Sequence, residues 1–597
     1  MKIILSDNKT YKILIISFEI ILILLVLFTM INRVKYGVDF SDESWYVAEP
    51  YAVAEMGAVP LVDNVTQSPG FTIPLAFAFK LFCILNGGTE GIVFFSRLLF
   101  IIVSFLVACT TFYIIKRYTL IKMPIIIIIP LFLASNTGYS LYAVNYHTIG
   151  LIYLPLIIAL IFAEYDDNSR KSFIWGLLAG FVAVRAVLGT VQIIIALFVF
   201  FVVLCLQKKF KRIAGILTGW FLTWFIIICT IGVKYGFESL FLWVKMYLNQ
   251  GYFLIGNLWN FRRSVKGIKL LFKYAVKMFI LLGVIKLLTR KKIFESFLII
   301  SVLSLITIGI IFSIRKNDHY EIILSRFSWF LPILYGLYTT KKNFYNKPIM
   351  IIYLAYLSVY FSVSYTTASG FGPGKAYWLF APILLTIIML YNYCIINLKD
   401  KLNSNSFYII IKCWIICIIL LLGTFKIWAQ YSYVYRDDNI LLLSSRVDKG
   451  IWKGLYTTEQ RKKCILGVED YLKRITNEED YVLCLDWVSF GYLMVNGRIC
   501  SPTTFDASHY SYNINTPNPY YMYFAVVNRV PNKIIYIDYG HDKIISIDNP
   551  EWKFNIFVNS FYQEQNRFSN ELFKVREYVI LNQENALKMV KEEAIFD

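Results

Sequence analysis

Along most of this chain the apolar residues come in blocks. Runs such as ILIISFEIILILLVLFTM at 13–30 and FIWGLLAGFVAVRAVLGTVQIIIALFVFFVVLCL at 173–206 show no alternation of apolar and polar positions. A helix needs about 20 residues to cross a bilayer and a barrel strand only roughly 10, so the blocks read as membrane helices and a β-barrel is excluded. Short basic clusters punctuate them: Lys116, Arg117 and Lys122; Arg170 and Lys171; residues 208–212 and 290–292; Lys341, Lys342 and Lys347; Lys399 and Lys401. Cytoplasmic loops carry the positive charge of membrane proteins, so every cluster is placed in the cytoplasm.

That rule threads about thirteen spans, at 13–31, 93–115, 123–143, 144–163, 172–187, 188–206, 213–233, 268–288, 296–314, 327–340, 348–366, 376–396 and 406–425. The first run follows Lys2, Lys9 and Lys12, but no small-residue cleavage site comes after it, so it reads as a retained span with the N-terminus in the cytoplasm. An odd count puts the C-terminus outside, on the same side as loops 38–89, 236–266, 315–325 and 369–375. The expected whole is an α-helical polytopic protein of the plasma membrane, with a membrane domain over 1–426 and a first outer loop over about 32–92.

From 427 onward the pattern is that of a soluble region. In TTEQRKKCILGVEDYLKRI, Thr457 and Gln460 form a capping-box signature, and Ile465, Val468, Leu472 and Ile475 fall on one helical stripe. DYVLCLDW and NKIIYIDYG read as short buried strands, and Asn496-Gly497 is a hairpin signal. Alternating helix and strand predict an extracytoplasmic α/β domain over 427–597. It holds neither GxGxxG nor GxxxxGK[ST], so no nucleotide site is read there.

Composition adds the charge distribution. Of 59 basic and 39 acidic residues, 19 and 22 fall from Ile427 on, so the formal charge of +20 resides entirely in the membrane half. A nucleic-acid binder would carry a basic stripe on a soluble domain instead. Cysteines such as Cys109, Cys205, Cys229 and Cys417 sit inside apolar runs as small hydrophobes; Cys484 and Cys500 are the pair an exported domain could oxidise. No CxxC or His/Cys cluster points to zinc, and neither a metal nor a cofactor is expected.

The acidic residues are unevenly placed. Of the 17 in the first 426 positions, six (Asp39, Asp42, Glu43, Glu49, Glu55 and Asp63) stand just after the first span. Carboxylates beside a bilayer are costly unless used or paired. The stretch after them, YAVAEMGAVPLVDNVTQSPGFTIPLAFAFKLF, has the mixed pattern of helices lying along a membrane surface, with Trp45, Tyr46 and Tyr51 as interfacial anchors.

This segment resembles the GT-C glycosyltransferases that use polyprenyl-phosphate sugars, in particular the family-39-like group of protein O-mannosyltransferases and aminoarabinose transferases. The matching residues are Asp42-Glu43 with Tyr46 after span one, then VDNVTQSPG with Asp63, Gln67, Pro69 and Gly70, and GLLAGFVAVR ending at Arg185. Bacterial members commonly have a basic residue or His with Pro-Pro where QSPGF stands here. The resemblance implies an inverting transfer from a polyprenyl (undecaprenyl) phosphate sugar to a cell-surface glycolipid, wall polymer or protein, with Asp42 as general base.

The chemistry needs little more. A phosphate leaves as a stable anion, so the enzyme has only to deprotonate a hydroxyl and hold the phosphate with fixed cations. If the segment is helical, Glu43 points about 100° away from Asp42 and is a structural or sugar-binding partner, whereas Tyr46 shares the Asp42 face and is placed to orient it. Asp63 is the alternative base. Candidate phosphate cations are Arg185, inside an apolar run, Arg262 and Arg263 beside Trp259, and Lys375 in SGFGPGKAYW, where Tyr377 would flank the sugar. Asn145 and His147 stand at the outer end of a span as further substrate contacts. Two alternatives stay open: a flippase of lipid-linked saccharides, which would place its site between repeated bundles, and a polysaccharide polymerase.

Overall fold

The computed structural model describes residues 9–60, 62–63, 72–118, 123–134, 141–145, 148–163, 169–190, 193–238, 240–241, 276, 280, 405–432, 434–485, 489–504, 519–539 and 553–593. The spans expected from 268 to 396 lie almost wholly outside them, as do Gln67, His147, Arg262, Arg263, Lys375 and Tyr377.

The described membrane half is helical: α1 (Lys9–Arg33), α2 (Asp42–Ala54), α3 (Thr72–Asn86), α4 (Ile92–Tyr118), α5 (Ile128–Leu133), α6 (Thr148–Phe162), α7 (Ser169–Gly189), α8 (Ile193–Leu206), α9 (Phe210–Tyr235) and α10 (Asn405–Ser432). Among the described residues four stretches, Ile13–Arg33, Ile92–Tyr118, Arg170–Gly189 and Phe210–Val233, are long and apolar enough to cross a membrane. Their outward faces stay apolar, with Leu14, Phe18, Ile21, Leu25 and Phe28 exposed on α1, as lipid requires. On α3 an exposed stripe of Phe77, Leu81, Ile84 and Leu85 lies opposite the buried Leu75, Phe79 and Cys83, so one face packs and the other suits lipid.

Helices α7 and α9 cross at glycines. A Cβ on Gly176 or Gly180 would run into the backbone of Arg212, Ile216 and Trp220, and one on Gly215 or Gly219 would meet that of Phe173 and Leu177. Small residues four apart on both helices let backbones touch, which substitutes in lipid for the missing hydrophobic drive. Gly180→Leu is therefore expected to lose at least about 1–3 kcal/mol of packing, read as a drop in thermal unfolding temperature of the full chain in detergent; an unchanged temperature would mean that the two backbones are not in contact.

The C-terminal part is α/β. After the antiparallel pair β1 (Ser445–Arg446) and β2 (Tyr456–Thr457) come α11 (Glu459–Ile475), β3 (Tyr481–Leu485), α12 (Gly491–Met494), β4 (Arg498–Ile499), α13 (Pro519–Val527), β5 (Lys533–Asp538), α14 (Lys553–Phe561), β6 (Tyr562–Ser569), β7 (Lys574–Ile580) and α15 (Gln583–Glu593). The five-stranded sheet runs β4-β3-β5-β7-β6, parallel on both sides of β3 and antiparallel from β5 to β6. Ile465, Val468 and Leu472 of the α11 stripe are buried.

Two local readings are corrected. Thr458, not Thr457, caps α11 by accepting the Arg461 N–H, because Thr457 is committed to β2 and its hydroxyl donates to Asp437. Asn496-Gly497 makes no hairpin: residues before it form α12, and β4 pairs parallel with β3. The Asn496 amide instead donates to the Lys473 and Thr476 carbonyls at the end of α11. Cys484 and Cys500 are buried free thiols.

The two halves share one hydrophobic core, which runs from Met30, Val34 and Phe100 into Ile451, Trp452, Leu455 and Ile465. Phe40, from the loop after α1, is the plug: its ring meets Trp452, Phe490, Tyr539 and Phe573 at 4.9–5.7 Å, and the Arg461 guanidinium covers it at 4.5 Å. Gly37 has φ +93° and its N–H donates to the Tyr456 carbonyl, and any Cβ there would strike Val434. The α/β part thereby sits directly on the acidic loop.

Candidate active site

Local sequence sets the start of α2. The Asp39 carboxylate accepts the Ser41 N–H and hydroxyl on one oxygen and the Glu43 N–H on the other, closing orphan donors of the first turn. Ser41 stands at the capping position without a capping side-chain bond. Helicity then separates the Asp42 and Glu43 side chains as their spacing predicts, and each meets a different part of the protein.

Glu43 points inward. Both its oxygens accept from Arg97 on α4, Nε and Nη2 at 2.6 Å each, with side-chain exposures of 2% and 5%. Arg97 also donates to the carbonyls of Val34 at 2.6 Å and Gly37 at 2.8 Å. A bidentate, fully desolvated pair of this kind fixes geometry. Glu43, expected as a sugar contact or structural partner, pins α2 to α4, with each of its oxygens engaged by Arg97.

Asp42 points the other way and remains 25% exposed. Its Oδ2 accepts a short hydrogen bond from the Tyr435 hydroxyl and lies 3.4 Å from Arg436 Nη2. Among the described residues nothing bonds its Oδ1. Tyr435 and Arg436 belong to the short link between α10 and the α/β sheet. Asp437 holds that link by accepting the Val38 N–H at 2.7 Å and the Thr457 hydroxyl at 2.9 Å and by pairing with Arg461 at 3.2 Å; Arg461 in turn donates to the carbonyls of Val38 and Arg436. Arg33, buried at the end of α1, ties in α10 through the Gln430 carbonyl at 2.5 Å.

These neighbours set the local charge. Burial, then the Asp42 charge, pushes Asp39 up to about 6, against the pull of Arg436 and the Glu43 N–H. Burial and the Asp42 carboxylate push the Tyr435 phenol far above its ordinary value, so it stays a donor at any working pH. For Arg436, burial opposes the charge but Asp42 and Asp39 outweigh it and hold the guanidinium up.

The other described sequence candidates meet different partners. The Tyr46 ring is 3% exposed, packs on Trp45 at 4.9 Å and adds to the field that holds up Arg436, while the hydroxyl that donates to Asp42 Oδ2 is that of Tyr435. Trp45 and Tyr46 are core residues, not interfacial anchors, because α2 is buried beneath the α/β part; the Trp45 indole donates to Glu49. Asp63, the alternative base of the sequence reading, is 4% exposed, accepts from the Val59 N–H and from the Tyr523 hydroxyl, and feels the charge of Arg529, so it ties the loop to α13. Asn145 exchanges hydrogen bonds with Thr148 at 2.8 and 2.9 Å and caps α6. Arg185 stacks on the Tyr153 ring at 5.9 Å. Arg97, Tyr435 and Arg436 escaped the sequence reading; Arg97 left a signal, being an Arg in the apolar run IVFFSRLLF.

Burial raises Asp63 to about 6 in spite of its hydrogen bonds. Between about pH 4 and pH 6 the folded chain keeps a proton that the unfolded chain has released, so stability falls as pH rises through that window and levels off above it. Asp39 acts in the same direction. The advantage in melting temperature of the wild type over Asp63→Asn should shrink as pH rises across the window; a constant difference would mean that Asp63 takes up no proton on folding.

No family model and no curated protein matches the chain. Among solved structures, the crystal structure of ArnT from Cupriavidus metallidurans bound to undecaprenyl phosphate matches over 94% of this chain and 97% of that one, at 10% identity and a TM-score of 0.45. An overlap of that quality lends no weight to the site, which stands on its own geometry.

Proposed function

We propose that the chain is a membrane glycosyltransferase that moves a sugar from a polyprenyl phosphate carrier to a hydroxyl of a cell-surface glycan, lipid or protein, with Asp42 as general base. The observation that carries this reading is the carboxylate itself: Oδ2 is fixed by Tyr435 and Arg436, Oδ1 is open, and the group is partly solvated on a loop between membrane helices. The resemblance of the Asp42-Glu43 segment to GT-C enzymes points to the same residue.

In this reaction the acceptor hydroxyl gives its proton to Asp42 Oδ1 as its oxygen bonds to the anomeric carbon. The bond from that carbon to the phosphate oxygen breaks on the opposite face, its electron pair leaves with the lipid phosphate, and the anomeric configuration inverts. Arg436, its side chain 35% exposed beside Asp42, is the described cation best placed to hold the phosphate as charge develops. The distribution of basic clusters supports an outer-side location for this chemistry. The test is release of undecaprenyl phosphate from a panel of undecaprenyl-phosphate hexoses and pentoses by the reconstituted protein, compared with Asp42→Asn; a flippase would keep its function in that variant.

A further inference from the structure

We infer that Tyr435 is a positioning residue for the proposed base, so that the link into the C-terminal α/β part completes the active site. The inference rests on the reading of Asp42 given above and on the geometry around it. A carboxylate at the first turn of a helix, with nothing bonded to one oxygen, is free to turn about its own axis and present either oxygen. The phenol of Tyr435 removes that freedom by donating to Oδ2, which leaves Oδ1 as the oxygen that meets the acceptor.

The phenol can do this only because its backbone is fixed from several sides. Arg436 has φ +53°, a left-handed conformation that a non-glycine residue adopts at a cost and keeps only when its surroundings hold it. Here the Arg436 carbonyl accepts from Arg461, the Arg436 guanidinium lies over the Tyr435 ring at 5.0 Å and reaches Asp42, and the next residue, Asp437, is clamped to Val38 and Thr457. Arg461 closes the circuit by covering Phe40, which stands just before Asp42 in the same acidic segment. The base and its orienting donor are therefore set by one network that spans both halves of the protein.

The test uses the full chain in lipid nanodiscs. Tyr435→Phe keeps the ring and removes the donor, and a hydrogen bond to a charged group of this kind corresponds to about a tenfold or larger change. In the undecaprenyl-phosphate sugar assay, kcat should fall by about that factor with KM for the donor unchanged, and the loss should vanish in an Asp42→Asn background because both changes act through one carboxylate. Independently of any sugar, a carbodiimide with a nucleophile, mapped by mass spectrometry, should label Asp42 faster in Tyr435→Phe. A wild-type transfer rate together with unchanged labelling would overturn the inference. Absence of transfer by the wild-type protein, with labelling still dependent on Tyr435, would instead overturn the proposed reaction.

Discussion

Asp42→Asn is expected to lower sugar transfer by at least about 100-fold while the protein inserts, folds and extracts as before. Asparagine keeps the size of the side chain and its carbonyl oxygen can still accept the Tyr435 hydroxyl, so the contact with the link survives. What disappears is the proton acceptor at the open oxygen. The site is one-quarter exposed and does not contribute to the shared core, so unfolding is no explanation for a loss of rate. An active Asp42→Asn variant would place the base elsewhere; Asp63 has both oxygens engaged by Tyr523 and Val59.

Arg97→Met should produce the largest loss of stability, about 3–5 kcal/mol. It strands the Glu43 carboxylate, 2% exposed, and removes the donor from the carbonyls of Val34 and Gly37 at the same stroke. Glu43→Gln keeps one acceptor for Arg97 and should cost less, with no change in KM for the sugar donor. Thermal unfolding in detergent together with donor titration separates the two roles: a stable Glu43→Gln protein with raised KM would return Glu43 to the substrate.

How much of this was legible in the sequence depends on the range of the interaction. Spans such as α1, α4, α7 and α9 follow from unbroken apolar blocks, and α11, β3 and β5 from short-range periodicity. The divergence of Asp42 and Glu43 also follows, since it needs only the helical angle. What a single chain does not display is which of 59 basic residues meets which carboxylate. Arg97 lies 54 positions from Glu43 and Tyr435 lies 393 from Asp42, and both pairings depend on how the α/β part settles on the loop. Tyr46 looked like the orienting residue because i+4 neighbours share a helix face. Most of α2 is buried, and the hydroxyl that donates to Asp42 comes from Tyr435, far along the chain, which no local spacing announces. The hairpin at Asn496-Gly497 failed for a related reason: the dipeptide signals a turn but says nothing of the partner strand, and β4 finds β3 in parallel.

The central claim is that the open oxygen of Asp42 faces the phosphate head of a polyprenyl carrier on the outer side of the membrane. A density map of the protein in nanodiscs with undecaprenyl phosphate tests it most directly. The lipid phosphate is expected against Arg436, with its terminal oxygens on the same opening as Asp42 Oδ1; a carrier bound in another cavity, or an Asp42 sealed from the lipid that holds it, would contradict the claim.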